Sequence, residues 1–267
     1  MLIKSARMIY FSPTGTTRRV LEGISQGLDM EKIEHIDLTL SDSRKPEHAN
    51  LSGVISLIGV PVYGGRVPVI AINALKRLKA GNIPAVIIAV YGNRAYEDAL
   101  IELRDLSLKR GFFPIAGGAF IGEHSLSNKE TPIASGRPDK KDIEQAVSFG
   151  MRVKNKITEI HSLDEIPHLT VPGNFPYREI KKAKKYSPVT VEELCIKCGR
   201  CTQVCPTEAV RMNESVTTDQ EKCIRCCSCI KNCPTGARIM EDPRGKDIAN
   251  WLYNNCQERK EPETFLI

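Results

Sequence analysis

Nothing in the 267 residues reads as a membrane span, because no segment reaches the ~18 uninterrupted apolar residues that a spanning helix needs. Aromatic residues make up only 6% of the chain, with a single tryptophan. The lysines and arginines are scattered apart from KKAKK at 181–185, and the formal charge is a modest +6. A nucleic-acid protein more often carries a concentrated basic stripe interleaved with aromatics, so a nucleic-acid partner is not expected, nor is a membrane. The Lys run reads as a solvated linker, with a docking patch for an acidic redox partner as the sharper alternative. The N-terminal MLIKSARMIYFS runs straight into a loop motif and lacks the layout of a signal peptide. A cytoplasmic location is the expectation. There, cysteines at fixed spacing imply metal or redox ligation rather than structural disulfides.

Cysteine is what the chain has in quantity. Of ten, nine lie between Cys195 and Cys233. The block reads CIKCGRCTQVCPTEAV and then CIRCCSCIKNCPTGAR, two copies of C-x2-C-x2-C-x3-C-P. The first copy holds Cys195, Cys198, Cys201 and Cys205 before Pro206; the second holds Cys223, Cys226, Cys229 and Cys233 before Pro234. Four thiolates can hold zinc or an iron–sulfur cluster. Zinc sites usually pair C-x2-C knuckles across a dozen or more residues, whereas three cysteines at i, i+3 and i+6 suit three corners of a [4Fe–4S] cubane. Cys227 is extra to the set, aligning with Gly199 of the first copy, and reads as a small buried residue beside the cluster. Cys256 lies outside any spacing and reads as a free thiol.

Residues 1–160 alternate short apolar runs with helical patterns. Strands are expected at Arg7–Phe11, Ile33–Leu38, Val54–Val60, Ala85–Tyr91 and Phe113–Ile121. Helices are expected over Gly15–Leu28, around Val69–Leu78 and Ala99–Leu106, and from about Asp139. Five strands separated by helices predict a doubly wound α/β domain, with order 2-1-3-4-5 and a ligand at the carboxyl ends of strands one and three. Residues 161–187 lose periodicity and gain prolines, which marks a linker; Phe175 and Tyr177 within it are candidates for holding the two halves in register. Residues 188–242 carry the cysteine repeat. The tail, 243–267, reads as a short helix and an end segment without a legible role.

Strand one ends in Ser12-Pro-Thr-Gly-Thr-Thr17. Hydroxyls around a glycine, on a turn into a helix, form an anion site, since the helix N-terminus offers unpaired N–H groups and the positive end of its dipole. A single capping residue would need less than this run. The Gly-Lys-Ser/Thr ending of a Walker A loop is missing and the loop is not G-x-G-x-x-G, which takes weight from ATP and dinucleotides. Two more loops leave the same sheet edge, Pro61-Val-Tyr-Gly-Gly-Arg66 and Tyr91-Gly-Asn-Arg-Ala-Tyr96, and Glu123-His-Ser125 follows strand five.

The first loop resembles the phosphate loop of flavodoxins, which bind FMN, over residues 1–160. The resemblance implies that Ser12, Thr14, Gly15, Thr16 and Thr17 hold the phosphate. It implies that Pro61, Val62, Tyr63, Gly64 and Gly65 and the loop of Tyr91, Gly92, Asn93, Arg94 and Tyr96 sandwich the isoalloxazine ring. Tyr63 or Tyr96 would stack on it, Gly64 and Gly65 would bring backbone towards N5, and Arg94 would stand near N1. His124 as a proton donor is a lesser expectation. The chain departs from flavodoxins, which are usually acidic, and this puts their docking partners in doubt.

Residues 188–242 are similar to two-cluster bacterial ferredoxins. Their known crossover implies that Cys195, Cys198, Cys201 and Cys233 hold one [4Fe–4S] cluster, and Cys223, Cys226, Cys229 and Cys205 the second. As a whole the chain resembles flavodoxin–ferredoxin fusion proteins: a flavodoxin-like α/β domain with a small α+β dicluster domain. That implies electron transfer between FMN and two [4Fe–4S] clusters, with soluble redox proteins (a ferredoxin, a flavodoxin or a reductase) as partners and a homodimer left open. Two other functions compete: a flavin-dependent oxidoreductase acting on a quinone or activated alkene, and a redox-sensing module without FMN. A roomy pocket lined by His124 and Tyr63 would favour the oxidoreductase, and a covered flavin would favour electron transfer.

Overall fold

The structure is a computed structural model that describes residues 3–43, 54–180 and 185–267, so KKAKK lies outside it except for Lys185. The apolar runs become β1 (Ser5–Tyr10), β2 (Lys32–Asp37), β3 (Val54–Pro61), β4 (Ile83–Tyr91) and β5 (Phe112–Ile121). They pair in parallel in the order 2-1-3-4-5. β4 and β5 are buried along their whole length, as a parallel sheet covered on both faces requires. α1 (Thr16–Leu28) and α4 (Lys140–Glu159) bury Val20, Leu21, Ile24 and Phe149 against one face. α2 (Val69–Leu75) and α3 (Ala99–Lys109) bury Ala71, Leu75, Leu100 and Leu103 against the other.

α1 and α4 meet backbone to backbone. A Cβ on Gly27 would fall 2.0 Å from the Val147 carbonyl oxygen, and one on Gly150 2.1 Å from that of Ile24. α4 begins on a capping box, in which Asp139 accepts from the Asp142 N–H and Asp142 accepts from the Asp139 N–H.

The segment 161–187 does not hang free. Leu169 and Val171 join the core beside α3, and Asp98 accepts from the backbone N–H groups of Asn174 and Arg178. The Tyr177 hydroxyl donates to Asp105 while the Arg66 guanidinium covers its ring. Periodicity vanishes there because these residues follow the contour of a helix already formed. Of the two residues expected to register the halves, Tyr177 packs on the first domain and Phe175 stays 75% exposed.

Past Lys185 come β6 (Val189–Thr190), α5 (Arg200–Gln203), β7 (Val210–Met212), β8 (Val216–Thr218), α6 (Ser228–Lys231) and β9 (Arg238–Ile239). β6 pairs with β9 and β7 with β8, both antiparallel. α7 (Pro243–Asn255) follows, and the chain then returns to the first domain as β10 (Glu263–Leu266), antiparallel to β5. The tail therefore supplies a sixth strand that covers the sheet's open edge.

Candidate functional site

The loops after β1, β3, β4 and β5 converge at the carboxyl ends of the strands, where doubly wound sheets bind ligands. They enclose a cavity of about 200 Å³ lined by Thr14, Thr16, Pro61, Val62, Tyr63, Gly64, Tyr91 and Gly92. Gly122, Glu123, His124, Ser125 and Leu126 of the β5 loop add a wall. Tyr186, Ile224 and Arg225 complete it from the cysteine-rich part.

Each loop is held locally. Ser12 Oγ accepts from the Arg18 N–H at 3.1 Å, and Gly15 stands at the mouth of α1 with φ +82°. Thr17 is fully buried and its Oγ1 has no partner among the described residues. Tyr63 and Arg66 exchange backbone hydrogen bonds of 3.0 and 3.2 Å across Gly64 and Gly65, whose φ values are both positive. That tight turn calls for glycine at both positions. Glu102 anchors it, taking two bonds from the Arg66 guanidinium and one from the Val67 N–H. Gly65 faces Glu97 rather than the cavity.

Three residues of the third loop turn elsewhere. Asn93 donates to the carbonyls of Cys256 and Glu258 at 2.7 and 2.8 Å. Arg94 pairs with Glu97 at 2.7 Å, so the positive charge expected near a flavin N1 is directed at a carboxylate instead. Tyr96 packs its ring on Tyr91 at 5.5 Å and donates its hydroxyl to Glu263. It lines the neighbouring cleft with Glu258–Glu263, because the returning tail offers an acceptor there. Of the two tyrosines expected to stack, only Tyr63 lines the cavity.

His124 lies against Gly92. Its Nδ1 accepts from the Leu126 N–H at 3.1 Å, which leaves the ring proton on Nε2. Burial, with Lys231 and Arg94 nearby, pushes its pKa down to about 4, so the ring is neutral near pH 7. The phenol end of Tyr63 sits beside Cys226 and Cys227, and burial raises its pKa.

The two cysteine copies fold alike. Lys197 and Arg225, Gly199 and Cys227, and Glu208 and Gly236 occupy matching positions, and all six have positive φ. Left-handed residues in such loops turn successive N–H groups inward and make an anion-binding nest, as iron–sulfur sites use. The Ala209 N–H, for example, donates to Cys205 Sγ at 3.2 Å. Cys195, Cys198, Cys201 and Cys233 line one small cavity together. Cys223, Cys226 and Cys229 each have Cys205 as an electrostatic neighbour. The donor chemistry and these nests fit iron–sulfur clusters.

Cys227 has a structural explanation. Its φ is +57° at the start of α6, where Gly199 stands at +73° in the first copy. A side chain in that conformation costs roughly 1–2 kcal/mol. Here it is 2% exposed, and its charge is felt by the Tyr63 phenol of the first domain.

The second copy docks on the first domain. Ser228 Oγ donates to the Pro13 carbonyl at 2.6 Å, in the loop after β1. Lys231 pairs with Glu123 and donates to the Ser127 carbonyl, in the loop after β5. Ile224 packs against the core, whereas its counterpart in the first copy, Ile196, is 64% exposed. Sequence reasoning missed Tyr186, Ile224 and Arg225 as cavity residues; nothing in the spacing of the repeat distinguishes its two C-x2-C loops.

Among the described residues no helix is long and apolar enough to cross a membrane. Residues 180–237 match the family model of the 4Fe-4S dicluster domain. No curated protein matches the chain. Similar solved structures include a flavodoxin from the domain Archaea, with 13% identity, 58% of this chain and 99% of that one covered, and a TM-score of 0.37. Flavodoxin 1 from Bacillus cereus has 16% identity, 55% and 94% coverage and a TM-score of 0.37. The NAD(P)H:quinone oxidoreductase from Methanothermobacter marburgensis has 12% identity, 60% and 100% coverage and a TM-score of 0.35. Likeness at that level carries no weight beside the strand order, which is flavodoxin-like in its own right. With a 4Fe-4S dicluster domain joined to a flavodoxin-like sheet, the chain has the make-up of a flavodoxin–ferredoxin fusion.

Proposed function

We propose that the chain is an electron-transfer iron–sulfur flavoprotein, with FMN in the cavity at the sheet edge and two [4Fe–4S] clusters in the crossover arrangement. One observation carries the reading: the cavity's wall includes Ile224 and Arg225, which lie between Cys223 and Cys226. A ligand there would share a wall with a cluster loop, and that closeness favours electron transfer between them. FMN, when bound, supplies a centre that takes two electrons or passes them singly, and a cubane cycles by one.

The chain's residues fit those roles. The hydroxyls of Thr14 and Thr16 and the start of α1 suit a phosphate, and the orphaned Thr17 Oγ1 is a donor in want of an acceptor. Tyr63 and Tyr91 suit the ring, and Ile224 with Arg225 keeps water from that side. Ser228 and Lys231 hold the second copy at a set distance from the loops after β1 and β5. The first copy faces outward, with Cys198 and Ile196 exposed, and is the place for a soluble redox partner to meet the chain. We draw the boundaries at 1–160 for the flavin domain, 161–187 for a packed linker and 188–242 for the cluster domain. The tail, 243–267, returns to the first domain.

Anaerobic purification tests this directly. Extraction should give about one FMN and about eight iron atoms per chain. Absence of FMN, or iron near half that value, would overturn it. A second reading, reduction of a small molecule such as a quinone, is favoured by His124, which lines the same cavity. Turnover of a quinone that His124→Ala abolishes without loss of FMN would decide for it.

A further inference from the structure

The repeat also breaks its own pattern at a position that is buried in both copies. Val210 and Arg238 follow Cys205 and Cys233 at the same spacing, and both side chains are buried. In the first copy the position is apolar. In the second it is an arginine only 2% exposed.

The guanidinium is surrounded by neutral acceptors. Its Nη1 donates to Thr190 Oγ1 at 2.6 Å, and its Nη2 to the Pro188 carbonyl at 3.0 Å and Thr218 Oγ1 at 2.5 Å. Nη2 also approaches Cys229 Sγ at 3.9 Å, and Nε has no partner. Among the described residues no carboxylate forms an ion pair with it. A buried, unpaired cation is costly, and natural proteins keep one where something supplies the missing negative charge.

Cysteines of both sets lie next to it. Arg238 lines the small cavity of Cys195, Cys198, Cys201 and Cys233, and it reaches Cys229 of the other set. A thiolate-ligated cubane is an anion, and its potential depends on net charge and on hydrogen bonds to its sulfurs. We propose that Arg238 is the buried countercharge shared by the two clusters and holds their reduction potentials up. The inference rests on the two-cluster reading above. Arg238 acts here as a positioning and electrostatic residue, since it ligates nothing.

The test is a spectroelectrochemical titration, followed by electron paramagnetic resonance, of the anaerobically purified full chain and of Arg238→Gln and Arg238→Lys. Iron content of the unaltered chain checks the two-cluster reading separately. Arg238→Gln should move at least one cluster to more negative potential by tenfold or more in its reduction equilibrium, 59 mV for one electron. Arg238→Lys keeps the charge and should stay within that limit of the unaltered chain. If Arg238→Gln fails to hold its clusters while Arg238→Lys holds them at unaltered potentials, the countercharge stands. Unchanged potentials in Arg238→Gln would overturn it. Equal shifts in both variants, or loss of the clusters from both, would overturn it too, because the fork's geometry rather than its charge would then matter.

Discussion

Replacing Thr17 by Val keeps the side chain's shape and removes one atom, Oγ1. That atom is buried and has no hydrogen-bond partner among the described residues, in the first turn of α1 next to Thr16, which lines the cavity proposed to hold FMN. Leaving a buried hydroxyl unsatisfied costs about 1–3 kcal/mol. The flavin-free chain should therefore become more stable by up to that amount, roughly 2–4 °C in Tm per kcal/mol for a domain of this size. A hydrogen bond to a charged group contributes about 1.5–3 kcal/mol, so FMN affinity should fall roughly 10- to 160-fold. Fluorescence quenching of FMN titrated with flavin-free protein measures the affinity, and a thermal melt of the same sample measures the stability. The two readouts should move in opposite directions. A rise in Tm with unchanged affinity would refute the reasoning, since Oγ1 would then be a buried hydroxyl with no part in binding.

Cys205→Ala should lower iron by about half and remove the cluster held by Cys223, Cys226 and Cys229; electron paramagnetic resonance showing loss of the other cluster would refute the crossover. Ser228→Ala leaves the Pro13 carbonyl without its 2.6 Å donor and should loosen docking by about 1–3 kcal/mol, read as faster amide exchange in residues 14–18 with iron content unchanged. His124 has its pKa lowered to about 4 by burial, so between its unfolded value near 6.5 and about 4 the unfolded chain binds the extra proton. Stability should be fully present above about pH 6.5 and fall, on the order of 3 kcal/mol, as pH drops through that window. His124→Gln should melt with a flatter pH profile there, and identical profiles would contradict the assignment.

Much of this molecule is legible before any coordinates. Runs such as VISLIGV and AVIIAVY announce parallel strands because only a sheet covered on both faces tolerates them. Ligand spacing in the repeat carries its chemistry openly, since few sites use three cysteines at that interval. What stays hidden depends on partners far along the chain. Arg94 and Tyr96 sit in a loop that reads as a flavin loop, yet their directions are set by Glu97 and by Glu263, the latter on a strand formed from the tail. That strand is four residues long and pairs with one distant in sequence, so no local pattern marks it. Residues 161–187 look like a tether for a similar reason: Leu169, Val171 and Tyr177 each pack on α3 or its neighbours without a period of their own.

The divergence between the two cysteine copies carries a spatial direction. Where the first copy has Ile196 in solvent, the second has Ile224 on the core of the flavodoxin-like domain. Lys197 is exposed, while Arg225 stacks on Tyr186 at 4.8 Å and lines the cavity. A side chain at Gly199 would meet Met212 and Thr202 of its own copy, while Cys227 accepts a strained backbone where its charge reaches the Tyr63 phenol. Val210 is replaced by Arg238 between the two ligand sets. The ligands themselves do not change, so the nests and the metal chemistry are common to both. Every departure named falls on a residue that meets the first domain, its linker or the space between the ligand sets. A duplicated pair in solution would have no reason to diverge in that way. The proposed arrangement, an inner cluster beside the cavity and an outer one towards a partner, would give them one, and the second copy does line the cavity while the first exposes Ile196 and Lys197.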